Sequence, residues 1–204
     1  MSLLLEPAPV TVVIGGAEVG IETDFRASVR FELMMQEEDL SDEAKVLQAL
    51  QLYYGTVPKA VPEAVEKMLW FYHLGREDSE AAGTRGRLLE PVYSFEHDDG
   101  YIYAAFLTQY RIDLQNVPYL HWWSFKRLFD SLSPENEFVK IMQYRAAEIT
   151  PKMSREQQDF YRRMKKLYAL PLPKREREQL SALEEALLGS GDVSALLNGK
   201  PASP

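Results

Sequence analysis

From Thr23 to Tyr168, apolar residues recur every three or four positions in segment after segment, and this period constrains the fold more than any other feature of the chain. Such spacing lines up one stripe of side chains on each helix, so the chain must bury several amphipathic helices against one another. Thr23-Asp24 is placed to cap a first helix running to about Glu38. Ser41 caps a second, in which Val46, Leu47, Leu50, Tyr53 and Tyr54 keep helical spacing until Gly55 ends it. A third carries Pro62 near its first turn, apolar residues at Val61, Val65, Met68, Leu69 and Tyr72, and Gly75 as its stop.

Ahead of these helices the period is two. Residues Val10 to Ile14 and Ala17 to Ile21 flank Gly15-Gly16, a pair able to supply the positive φ of a primed turn. Val12 and Ile14 share one face, with Val19 and Ile21 lining the match opposite. A lone two-stranded hairpin is marginal in water, so it must lie on a helix or gain a strand from a partner.

The second half is denser in aromatic residues. Residues 76–91 read as a polar surface connection. Its tip, Gly83-Thr84-Arg85-Gly86-Arg87, has phosphate-contacting residue types, but no strand precedes it and no P-loop lysine follows. A helix is expected to begin around Ser94–Asp99 and to continue through Tyr101, Ile102, Ala105, Phe106 and Tyr110. Pro118 is expected to start another, apolar around most of its circumference (Leu120, Trp122, Trp123, Phe125, Leu128, Phe129, Leu132), which places it at the centre of the fold. A further helix is expected from about Glu135 to Ala147. Ser154 with Gln157 is a capping-box pattern for the next. Its stripe is Phe160, Met164, Leu167 and Tyr168, with Arg155, Arg162, Arg163, Lys165 and Lys166 on the opposite side. Pro171-Leu172-Pro173 then breaks the chain, and a weaker amphipathic helix over 174–188 leads into a polar tail. The expected architecture is mainly α: one helical domain over 1–170 with an N-terminal β-hairpin at 10–22, followed by a loosely attached, Pro-delimited C-terminal helix and tail over 171–204.

Function classes are narrowed mostly by exclusion. The 204 residues include no cysteine and three histidines, which removes disulfides, thiolate metal sites and cysteine nucleophiles. No apolar run approaches the roughly 20 residues of a membrane span. The segment Glu96-His97-Asp98-Asp99-Gly100 resembles a calcium loop at first sight. Aligning Gly100 with that loop's glycine, however, puts Phe95 and Phe106 where carboxylates are required. G-x-S-x-G, H-E-x-x-H and G-x-x-x-x-G-K are all missing, and the chain reads as a non-enzyme with no cofactor. Net charge is -8, split as -11 over residues 1–100 and +3 over the remainder, which favours docking surfaces of opposite sign. The basic face of the 154–169 helix is the best nucleic-acid candidate, but a solvated face or an acidic partner suits a chain of pI ≈ 5.0 better.

Six segments, in order, resemble one family: Ile21–Arg26, Glu66–Tyr72, Tyr93–Phe106, Leu120–Phe125, Lys140–Arg145 and Phe160–Tyr168. Together they look like the bacteriophage "gene product fifteen" family of long-tailed phages and prophages of Gram-positive bacteria, over about residues 3–170. The resemblance implies a tail-morphogenesis protein in the host cytoplasm, similar to tail assembly chaperones. Its implied partners are the tape measure protein, which such chaperones coat, and the tail-tube subunits they recruit. It supplies no catalytic residues. The expected client-facing region takes Tyr101, Trp122 and Trp123 for aromatic contact and Arg162, Arg163, Lys165 and Lys166 for charge. The competing readings are a tail or head–tail connector retained in the virion and a nucleic-acid-binding accessory protein.

Overall fold

The structure is a computed structural model that describes residues 4–76 and 91–171. Met1–Ala169 form one compact unit. Its elements run β1 (Thr11–Ile14), β2 (Ala17–Gly20), α1 (Phe25–Gln36), α2 (Asp42–Tyr54), α3 (Val61–Tyr72), α4 (Asp99–Tyr110), α5 (Trp122–Asp130), α6 (Glu137–Ala146) and α7 (Arg155–Leu167). The fold is mainly helical with an N-terminal antiparallel hairpin. The tip at 83–87, the 174–188 helix and the tail beyond it lie outside the described residues.

The hairpin pairs Val12 with Val19 and Ile14 with Ala17. Gly15 and Gly16 both take positive φ, at 59° and 76°, as a primed two-residue turn requires. Its apolar face lies on a helix: Val12 and Ile14 are buried, and the Gly15 amide donates to Glu63 of α3 at 2.8 Å.

The caps follow the local chemistry. Asp24 accepts from the Arg26 amide at the start of α1, Ser41 accepts from Ala44 at the start of α2, and Gly55 closes α2 in the left-handed region. Arg26 reaches beyond its own helix to the carbonyls of Leu114 and Val117, at 2.9 and 2.8 Å, and so ties the 113–117 turn to α1.

Helix α4 begins at Asp99, the far end of the expected range, with a turn over 94–98 ahead of it. One helix start differs from expectation. The helix expected from Pro118 begins instead at Trp122, because residues 120–122 pair with the entrance of α1. Leu120 accepts from the Phe25 amide at 2.9 Å, and the Trp122 amide donates to the Thr23 carbonyl at 2.7 Å. With those groups committed to a strand-like bridge between Asp24 and His121, no helical turn can form there.

The core gathers around α5. The Phe125 ring stacks on Phe25 at 4.7 Å, on Phe106 at 4.9 Å and on Trp122 at 5.7 Å, and thereby joins α1, α4 and α5. Phe129 continues the contact to Phe138 of α6 at 5.4 Å. Stacked and edge-on rings at these separations add about 0.5–1.5 kcal/mol per pair beyond the area they bury.

Candidate protein-contact surface

The aromatic residues expected to face a client separate into two groups once α3 is considered. A helix leaves its last four carbonyls without intrahelical donors. In α3 the His73 amide takes Leu69 and the Gly75 amide takes Trp70, both at 2.9 Å. The Phe71 carbonyl accepts from the Leu74 amide at 3.1 Å, and α5 adds a second donor to Phe71 and supplies one to Tyr72. The Trp123 indole donates to the Phe71 carbonyl at 2.8 Å, and the Trp122 indole to Tyr72 at 2.9 Å. The two indoles are 1% and 2% exposed. This corrects their assignment to a client-facing surface: Trp122 and Trp123 close the end of α3 inside the core, where no partner reaches them. Gly75 is shaped to the same contact. It holds φ at +76°, and a Cβ there would lie 3.0 Å from the Trp123 ring.

Tyr101 has a different environment. It is 41% exposed on α4, at the edge of the face that buries Ile102, Ala105 and Phe106. Burial and the neighbouring Glu137 carboxylate raise the Tyr168 hydroxyl above the usual tyrosine range, with Tyr101 and Tyr144 adding to the effect, so these three phenols are neighbours. Tyr144 of α6 stacks on Tyr168 at 6.0 Å and meets Phe160 of α7 edge-on at 5.9 Å.

The side chain that fixes this end of the molecule is Arg145 on α6. Its two terminal nitrogens hold the Asp98 carboxylate at 2.6 and 2.9 Å. It also donates to the Val92 carbonyl at 3.1 Å and, through Nε, to the Tyr168 carbonyl at 2.6 Å. Asp98 is buried and accepts from the Ser94 amide as well. In the sequence, Asp98 falls in a segment that fails as a calcium loop at an expected helix start, and Arg145 is one residue of a helix. Their pairing spans 47 positions, a separation at which no spacing rule operates. In the segment compared with a calcium loop, Asp98 is thus engaged by Arg145, while His97 and Glu96 lie exposed with nitrogen and carboxylate 3.7 Å apart.

Helix α7 begins with the expected capping box: Ser154 accepts from the Gln157 amide while the Gln157 side chain accepts from the Ser154 amide. None of its side chains is fully buried. It docks on α6 through Phe160 and Tyr168, whose rings meet Tyr144, with Tyr161 and Met164 half-buried; Phe160 stays partly exposed and Leu167 is at 66% exposure. Arg162 pairs with Asp159 at 2.9 Å, and Arg163 and Lys166 stand exposed on the outward side, while Lys165 is half-buried. The structure therefore places Tyr101 and the four cations on or beside one end of the bundle, and separates Trp122 and Trp123 from them. Chemically this is a surface of rings and cations suited to contact with another chain.

No helix among the described residues is long and apolar enough to cross a membrane. No curated protein and no solved structure matches the chain. A family model described as Bacteriophage Gp15 protein matches residues 4–170. That span runs from the hairpin to the last residues of the α7 docking contact, and the chain belongs to the bacteriophage Gp15 protein family.

Proposed function

We propose that this phage protein is a non-enzymatic tail-morphogenesis factor that acts as a tail assembly chaperone in the host cytoplasm. It binds the tape measure protein and recruits tail-tube subunits. The observation that carries the reading is the exposed part of α7, where Phe160 and Leu167 flank Arg163 and the same helix exposes Arg162 and Lys166, in a chain of a phage family. A chaperone must hold its client and release it. A moderate surface that mixes rings with charge serves this better than a large dry one, because rim charges tune encounter while little apolar area has to be re-exposed on release. An amphipathic client helix supplies apolar anchors for Tyr101, Phe160 and Leu167 and carboxylates for the cations.

The test is co-expression with the tape measure protein of the same phage. The wild-type chain is expected to copurify with it, and reversal of Arg162, Arg163, Lys165 and Lys166 to Glu to reduce recovery at least about tenfold, the equivalent of about 1.4 kcal/mol. Unchanged recovery would remove the basic face from this reading. Mass spectrometry of purified virions addresses the chaperone role itself: the protein is expected far below the stoichiometry of tail components, and stoichiometric retention would mean a connector instead.

A further inference from the structure

The outward side of α7 has a counterpart on the opposite half of the chain. At the α1–α2 turn the exposed apolar side chains are Met35, Val46 and Leu47. Lys45 donates to the Met35 carbonyl at 2.9 Å, which sets the first turns of α2 beside the end of α1. Val46 lies one turn before Leu50 on the stripe that buries Ala49, Leu50 and Tyr53, so the apolar face of α2 runs past the edge of the core into solvent. Carboxylates surround it: Glu37, Glu38, Asp39, Asp42 and Glu43 are all exposed. On α7 the balance of charge is reversed: exposed Phe160 and Leu167 flank Arg163, and among the exposed side chains of the helix Arg155, Arg162, Arg163 and Lys166 outnumber Glu156 and Asp159.

We infer that the outward face of α7 docks on the α1–α2 edge of a second copy of this chain. Each surface offers an apolar centre of two or three side chains inside a charged rim, the usual division of an interface into a desolvated core and a polar border. Opposite rims attract and set the register. Two α7 faces, or two α1–α2 edges, repel when brought together, so the α7 face of one copy meets the α1–α2 edge of another. Such a contact between unlike surfaces is either made twice in a reciprocal two-fold dimer or propagates head to tail into a ring or a filament. This inference needs no client and stands apart from the chaperone reading.

The experiment is sedimentation velocity on the full chain over a range of concentrations at about 50 mM and about 500 mM salt, because rim charges are strongly screened at the higher value. Species of at least twice the monomer mass are expected at low salt and mainly monomer at high salt. A chain that stays monomeric at low salt up to about 100 μM, equivalent to binding weaker than about 5 kcal/mol, overturns the inference. Two variants test the pairing: E37K with D42K and E43K, and R155E with R163E and K166E. Each alone is expected to be monomeric, since its two surfaces then carry the same sign. An equimolar mixture is expected to assemble again, because each variant's altered surface complements the other's. Assembly by either variant alone, or none in the mixture while circular dichroism shows both folded, counts against it. Neither outcome bears on copurification with the tape measure.

Discussion

A histidine that accepts a hydrogen bond at one ring nitrogen must carry its proton on the other. Nδ1 of His121 accepts from the Trp123 amide at 3.0 Å and caps α5, so Nε2 carries the proton and donates to the Pro9 carbonyl at 3.0 Å. The ring thus ties the residue before the hairpin to the central helix, and only its neutral form makes both bonds. Burial lowers its pKa below the ordinary 6.5, opposed in part by the Pro9 carbonyl. The unfolded chain therefore takes up this proton first as the pH falls, and the contribution of His121 to stability is lost from about pH 6.5 downward. Denaturant titrations at about pH 7.5 and 5.5 should show the wild type losing more stability on acidification than His121→Asn. The variant retains a cap acceptor and has no ring to titrate, so equal pH dependence in the two proteins would contradict this account.

At the scale of elements, the sequence marks helices by signals that act within one turn, and those were legible. The Asp24, Ser41 and Ser154 caps, the Gly55 stop and the Gly15-Gly16 turn all stand where their chemistry requires. Pro118 misleads for the same reason: a proline followed by apolar residues is a good local helix start, and nothing within one turn reveals that Leu120 and Trp122 are pairing with Thr23 and Phe25. Helix α7 depends most on its local signals, because no side chain of it is fully buried. Ser154→Ala removes one half of its capping box and should cost α7 about 1 kcal/mol. Hydrogen exchange is expected to quicken across α7 while the amides of α5 keep their protection. Uniform loss of protection in both helices would mean that α7 unfolds only together with the core.

Across the whole molecule, the Asp98–Arg145 pair joins parts of the chain that no single element connects: the segment at Val92, the turn before α4, helix α6 and the end of α7. Removing one partner leaves the other charge buried without compensation. Arg145→Met and Asp98→Asn are each expected to destabilise the fold by about 3–5 kcal/mol in denaturant titrations. The double variant should lose clearly less than the sum of the two. Additive losses would show that the pair is not coupled. The acidic first half and mildly basic second half were visible in the sequence, and so were the aromatic density around α5 and the six segments of the family. The apolar circumference of the helix carrying Trp122 and Trp123 already pointed to the centre of the fold, against their assignment to the client-facing region. What the sequence did not reveal is that their indoles serve as donors to the last carbonyls of α3. Periodicity, caps and turns were set by residues three or four positions apart, because the chain meets itself at that distance in any helix. The start of α5, the partners of the indoles and the Arg145 clasp depend on groups about 50 to 100 positions apart. Only packing that closes those long loops decides which polar groups find partners and which faces stay in water.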